Sequence, residues 1–369
     1  METLILAING GSSSLKYGAF VVGECRAETV VSGAVESRPN HTAGFDEIAA
    51  KLGGARPNAI GHRIVHGGPT LFRPTLIDDR VLSNLRAACA FAPLHGPVAL
   101  DLIAAARRRY PGTLQIACFD TGFHEHLPAI AAVLPVPRAL QAAGVRRYGF
   151  HGLSCQSIVR QFGADLPKRL VIAHLGSGAS VTAVLDGASV DTSMGLTPSG
   201  GVVMATRSGD LDPGLLLFLL REHGMTAGRL EELLDRESGL LGISDRSGDL
   251  QILRRLAPAL PDARLAIDIF CRSVAKQIAA MIASLGGLDL LVFSGGIGEH
   301  DAETRNAICA DLAWAGVAQG ADAGNVRACS PNEEEQIAWN ASALMRAGVA
   351  HDTAAWHHLP VSARRLPNG

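Results

Sequence analysis

Residues 9–16 read Asn-Gly-Gly-Ser-Ser-Ser-Leu-Lys, and the chemistry open to them is the binding of a charged phosphate. Glycines let the backbone turn sharply and let a ligand come close. Serine hydroxyls and turn N–H groups donate hydrogen bonds, and Lys16 adds a positive charge, a combination suited to a polyphosphate or its magnesium ion. The GxxxxGK[ST] order of a Walker A loop is absent. One Gly/Ser turn marks no more than a hairpin; its weight comes from recurrence. Residues 170–187, LVIAHLGSGASVTAVLDG, echo residues 4–20, LILAINGGSSSLKYGAF, with Asn9 and His174 in comparable places before the turn. A third apolar run, Leu290–Phe293, leads into Ser-Gly-Gly-Ile-Gly-Glu at 294–299. Three Gly-rich turns, each after an apolar strand, point to one shared nucleotide site.

Four further stretches carry reactive side chains. Gly-His-Arg-Ile-Val-His-Gly-Gly at 61–68 sets Arg63 among glycines. Its fork binds two oxygens at once, which suits carboxylate or phosphate; a surface ion pair is the plain alternative. Phe-Asp-Thr-Gly-Phe-His at 119–124 places Asp120 at a strand exit, where sites in α/β proteins are built, or else as a turn residue capping the backbone. Arg-Arg-Tyr-Gly-Phe-His-Gly at 146–152 puts His151 between aromatic and glycine neighbours. Residues 191–214, DTSMGLTPSGGVVMATRSGDLDPG, are too long and polar for a neutral linker inside a compact domain. Arg207 is their obvious charge for an anion, and the interleaved Met194, Leu196, Val202, Val203 and Met204 predict an ordered segment.

The elements that must position these groups read as alternating strands and helices, hence an α/β protein. Leu4–Ile8 and Leu114–Phe119 read as buried strands, and residues 81–91, 97–109 and 262–285 as helices. Residues 332–347 form another, with Asn332 as N-cap and Glu333–Glu335 in the first turn. The echo implies two halves with a boundary near residue 150, and residues 351–369 read as a loose tail. The 369 residues suffice for two domains with proper cores. A net charge of −2 argues against a nucleic-acid surface. Seven scattered cysteines without a CxxC pair fit reduced thiols in a cytoplasmic protein. No signal peptide is expected, and nothing approaches the roughly 20 apolar residues that span a bilayer.

Taken together, NGGSSSLK, GHRIVHGG, FDTGFH, RYGFHG, HLGSGAS, DTSMGLTPSGGVVMATRSGD, FSGGIGE and NEE, in this order, resemble the acetate/propionate/butyrate kinase family of the sugar kinase, actin and Hsp70 superfamily. The resemblance runs from Asn9 to about Ala338. It implies a duplicated, actin-like and ribonuclease H-like fold with mixed sheets flanked by helices and a cleft between two domains. The first would span 1–150, joined by the C-terminal helix and tail at about 332–369; the second, nucleotide-binding one would span 151–331. The activity implied is reversible transfer of the γ-phosphoryl of ATP to acetate, giving acetyl phosphate and ADP by in-line displacement, with propionate or butyrate as the alternative acids. Magnesium, with manganese as a substitute, and a homodimer come with the family. Carried over by residue, Asn9 and Glu333 would hold the metal, and Ser12, Ser14 and Lys16 would surround the terminal phosphates. Arg63 would bind the substrate carboxylate, with Val65 lining its methyl pocket. Asp120 matches the catalytic Asp, and His151 and Arg207 would stabilise the transferring phosphoryl. His174, Leu175, Gly176, Ser177 and Gly178, then Asp249, Leu250 and Gln251, then the loop Gly295, Gly296, Ile297, Gly298, Glu299 and His300 would bind nucleotide.

Three of these positions depart from the family pattern, all on the nucleotide side: Ser177 stands where Asn is usual, Gln251 where Arg is usual, and His300 where Asn is usual. They keep a pyrophosphate donor open as an alternative. A non-catalytic nucleotide-binding regulator of the same fold is the rival from another class, and the presence of Arg63, Asp120 and Arg207 weighs against it. The acid acceptor is already ionised at neutral pH, so it needs no general base. Asp120 is therefore expected to orient an arginine or a metal-bound water rather than to remove a proton.

Overall fold

The computed structural model describes residues 2–10, 14–36, 41–93, 95–318 and 324–348. Ser12 and the tail 349–369 lie outside the described residues, and of Ser14 only the backbone is placed.

The first sheet forms where the sequence runs apolar. β1 (Thr3–Gly10) buries Ile5, Leu6, Ala7 and Ile8 consecutively, the mark of a strand covered on both faces. It pairs antiparallel with β2 (Ser14–Val22), which pairs antiparallel with β3 (Ala27–Glu36). On its other side β1 pairs parallel with β4 (Ala59–Ile64). After β5 (Thr75–Leu76) the chain returns as β6 (Leu114–Phe119), and the order is β3-β2-β1-β4-β6-β5.

The second sheet repeats the plan. β7 (Arg169–Leu175), β8 (Ala179–Leu185) and β9 (Ala188–Thr192) form an antiparallel meander. β10 (Leu290–Ser294) and then β11 (Val326–Ala328) add in parallel beside β7. The order β9-β8-β7-β10-β11 matches β3-β2-β1-β4-β6, so the sequence echo is a duplicated mixed sheet. The fold is the expected one, two mixed sheets flanked by helices.

Two helices lock the sheets. Pro261–Leu285 lies on β7, β8 and β9, burying Ala263, Ala266, Phe270, Val274, Ile278 and Met281 at helical spacing. Glu333–Arg346 returns to the first sheet and packs on β1, β2 and β4. Its Ile337 fills the space above Gly61, where a Cβ would meet Ile337 Cγ2 at 2.5 Å. Asn332 sits at the N-cap of this helix, but its side chain makes no capping bond. Residues 295–300 are a short helix directly after β10 rather than a loop. The irregular stretch after β9 is ordered as expected, with Met194, Val202 and Met204 fully buried.

Candidate active site

The first and second sheets meet at a cleft of about 320 Å³ lined by Asn9, Lys16, Arg63, Val65, Asp120, His151, His174, Ser177, Arg207 and Glu333. Residues up to 324 positions apart are thus brought together because corresponding strand ends, β1 with β4 and β7 with β10, open onto the same space.

The first-sheet side is built around Arg63. Both its Nε and Nη2 donate to Asp120 Oδ2, at 2.9 and 2.6 Å, and Nη1 donates to Asn9 Oδ1 at 3.1 Å. The guanidinium keeps an exposed edge (19% of its side chain) while Asp120 is buried, so it still has N–H groups to offer an anion. Burial pushes the Asp120 carboxyl above the ordinary range, with Arg63 pulling the other way. For Arg63, Asp120 and Glu333 outweigh the burial that opposes its charge. Asp120 Oδ1 is buried without a hydrogen-bond partner among the described residues.

Glu333 opens the returning helix. Its Oε2 accepts from Asn9 Nδ2 at 2.9 Å and its Oε1 from Ser154 Oγ. Burial opposes its charge, but Arg63, His174 and these two donors hold it below the usual carboxylate range, so it is ionised. Asn9 Nδ2 also donates to Glu334 Oε1 at 2.8 Å. Magnesium keeps several waters and takes only one or two protein oxygens beside those of the phosphates. The buried anionic Glu333, the Asn9 amide and the unpartnered Asp120 Oδ1 fit such an ion. No cluster of three or more His, Cys, Asp or Glu suited to a metal occurs among the described residues.

The second-sheet side is cationic and aromatic. His151 opens the helix Gly152–Phe162, and its Nδ1 bonds Ser180 Oγ on β8 at 2.9 Å. Its ring lies 4.4 Å from that of His174, whose Nδ1 bonds Ser294 Oγ at 3.1 Å. Burial lowers both imidazoles, helped by neighbouring positive charge that includes Arg63 and, at His174, opposed by Glu333 and Glu299, so they are neutral at pH 7. Arg207 Nη1 donates to Pro198 O at 3.1 Å. Gly178 leaves the donors room to converge: a Cβ there would come 3.3 Å from Arg207 Nη1 and 3.4 Å from His151 Nε2. Gly295, at φ +75°, lets the 295–300 helix start against β7, where a Cβ would strike Leu175 O at 2.7 Å.

The remaining nucleotide candidates do not line the cleft. Asp249 caps the helix Leu250–Leu256, its Oδ1 accepting from the Gln251 N–H at 2.8 Å. Leu250 is buried in the second core and Gln251 is exposed. Leu175 is buried in β7, Glu299 accepts from Ser330, and His300 is exposed. Three cleft residues escape sequence reading: His95, Phe150 and Pro198. Burial, with Arg207 and Arg63 nearby, lowers His95 to about 4. Its one local signal is the Gly96-Pro97 helix start that follows it.

The model of the acetokinase family matches residues 55–347. The chain belongs to this family. An acetate kinase of Rhodopseudomonas palustris is 40% identical over 358 residues, covering 88% of this chain and 89% of that one. The crystal structure of Porphyromonas gingivalis acetate kinase superposes with a TM-score of 0.80 at 30% identity, covering 93% and 100% of the two chains. A propionate kinase from Francisella tularensis gives a TM-score of 0.80 at 32% identity, over 92% and 98%. The protein is accordingly a kinase, a phosphotransferase.

Proposed function

We propose that this chain is an ATP-dependent acetate kinase, transferring the γ-phosphoryl of ATP to acetate to give acetyl phosphate and ADP. One observation carries the reading: Arg63, Arg207, His151 and Lys16 converge on one cleft with an apolar wall of Val65, Phe150 and Pro198 and a metal-compatible corner at Glu333. Phosphoryl transfer passes through a loose transition state whose charge lies on three equatorial oxygens, so catalysis is positioning and charge neutralisation. Arg63, held by Asp120 and Asn9, would bind the carboxylate of acetate, with Val65 against its methyl. A carboxylate oxygen bonds to the γ-phosphorus as the bond to the β,γ-bridging oxygen breaks, and ADP leaves with that oxygen. Arg207 and the Nε2 of neutral His151 would stabilise the phosphoryl in flight. Lys16 and Ser12 and Ser14 would take the terminal phosphates, and the 174–178, 249–251 and 295–300 segments the nucleoside. Magnesium, bound through Asn9 and Glu333, would neutralise charge on the β- and γ-oxygens.

In the same reading residues 1–150 with about 332–369 form one domain and 151–331 the other, closing over the nucleotide to exclude water. A cytoplasmic homodimer is proposed, and the helix Pro213–Glu222 supports it: none of its residues is buried, and Leu215, Leu217, Phe218 and Leu220 all face solvent. Hydroxamate formation from acetate, magnesium and hydroxylamine, with ATP and pyrophosphate as parallel donors, tests the reading. Signal with ATP is the expected outcome; signal with pyrophosphate alone overturns the donor, and silence with acetate, propionate and butyrate overturns the kinase assignment. The propionate kinase likeness makes propionate the second acid to try.

A further inference from the structure

His151 has a backbone conformation that costs energy. Its φ of 56° and ψ of 26° place it in the left-handed region, which a side chain other than glycine occupies only when its surroundings impose it. The two peptide groups flanking His151 set that conformation, and both are held by the turn that follows β6. On the C-terminal side, the Gly152 N–H donates to Asp120 O at 2.8 Å. On the N-terminal side, the Phe150 carbonyl accepts from His124 Nε2 at 3.0 Å. A carbonyl only accepts, so Nε2 carries the proton and Nδ1 is the acceptor. The Ser189 hydroxyl on β9, 2.8 Å away, donates to it.

The packing around this imidazole is built for the purpose. His124 is fully buried. Gly149, at φ +74°, lies over the ring so closely that a Cβ there would meet His124 Cδ2 at 2.6 Å. Gly152 likewise leaves no room, since its Cβ would come 2.2 Å from Asp120 O. The turn carrying Asp120 therefore grips the chain on both sides of His151, while Ser180 fixes the imidazole at 2.9 Å.

We propose that His124 is a positioning residue for His151: its imidazole ties the Phe150 carbonyl to β9 and so holds the left-handed backbone that aims His151 into the cleft. This rests on the proposed phosphoryl-transfer reading, in which His151 touches the reacting group. It assigns work to the last residue of the Phe-Asp-Thr-Gly-Phe-His motif, whose acidic residue orients Arg63. One turn then sets one group for the acid, Arg63, and one for the phosphoryl, His151.

The test is a double-mutant cycle on the full chain, with His124→Leu, His124→Gln, His151→Ala and the double variant His124→Leu/His151→Ala. Gln keeps an N–H for the Phe150 carbonyl and an acceptor for Ser189. We expect His124→Leu to lower kcat at least about tenfold with KM for acetate and ATP within about twofold, and His124→Gln to recover most of it. In the His151→Ala background the Leu substitution should cost nothing further, because the group it positions is gone. Additive losses, a rise in KM with kcat unchanged, or a Gln variant no better than Leu would overturn the proposal. Should His124→Leu not fold, Ser189→Ala enters the same cycle with a smaller fall expected and the same non-additivity. Wild-type hydroxamate formation tests the functional reading separately. If it fails, NMR of 15N-labelled histidine still decides the clamp: His151 resonances displaced in His124→Leu but not in His124→Gln support it, and unmoved resonances in both overturn it.

Discussion

Arg63 and Asp120 form a pair in which one carboxylate oxygen is committed to the guanidinium. Two N–H groups converge on one Asp120 oxygen, and the substrate carboxylate has no proton to give. Asp120→Asn is therefore expected to lower kcat by about 10²–10³-fold, the scale of a lost electrostatic contact, while leaving the acidic limb of the pH–rate profile in place. Profiles of the two proteins compared between acid and neutral pH check this, and a limb that vanishes in the variant would refute it. Arg207→Ala should cost a similar factor in turnover, because among the described residues no other arginine lines that side of the cleft. Trimming Val65 to Ala should shift relative kcat/KM toward propionate and butyrate by about tenfold or more, since a methylene in an apolar pocket is worth about 1–3 kcal/mol; competition assays between the acids read it. Arg63, Asp120, His151 and Arg207 were legible in the sequence because each sits in a Gly-rich motif at a strand end or just before a helix, or inside a polar segment too long to be a linker. His95 was not, since its place in the cleft depends on how the helix Gly96–Arg109 packs, which no local pattern encodes.

The strands and long helices were legible for a related reason: their burial is periodic or continuous, and that shows in the residues. Pro261–Leu285 and Glu333–Arg346 fall within a residue of the spans read from the sequence. The 294–299 segment was harder, because a glycine-rich run after a strand reads equally well as a loop or as a first helical turn, and the choice is made by β7 lying against Gly295. The same non-local logic couples stability to chemistry in the last helix. Ile337 is fully buried against Gly61 and β1, and Glu333 stands one turn earlier on the same helix. Ile337→Ala should cost about 2–5 kcal/mol, the range for such truncations, read as a lower urea midpoint. It should also raise the magnesium concentration needed for half-maximal rate, because the helix that presents Glu333 loses its anchor. A destabilised variant with unchanged metal dependence would show that Asn9 and Ser154 alone hold the carboxylate.

The duplicated architecture places neutral histidines in both halves and in the cleft between them, and this sets how the protein should respond to acid. Burial lowers His62, His66, His95 and His124 to about 4, against about 6.5 in the unfolded chain. A histidine whose folded value is depressed binds fewer protons in the native state than in the unfolded one, so stability rises with pH across that interval and falls as pH drops from 6.5 toward 4. Each pH step of one through that interval costs about 1.4 kcal/mol per such histidine, so each removes about 2 kcal/mol by pH 5. Several together approach the roughly 5–15 kcal/mol that holds a typical domain. Glu333, held below the usual range, adds its own loss only at lower pH, beneath the unfolded carboxylate value, so the histidines govern the first descent. Urea unfolding midpoints measured from pH 7 to pH 4.5 should therefore fall steeply below pH 6.5. His62→Gln should flatten that fall. His62 lies in the first sheet, away from the cleft lining, with its Nε2 bonded to Gln115 at 2.7 Å, and its replacement removes one titrating group without touching the catalytic set. A variant whose midpoint tracks the wild type at every pH would mean that acid unfolding is driven by carboxylates instead.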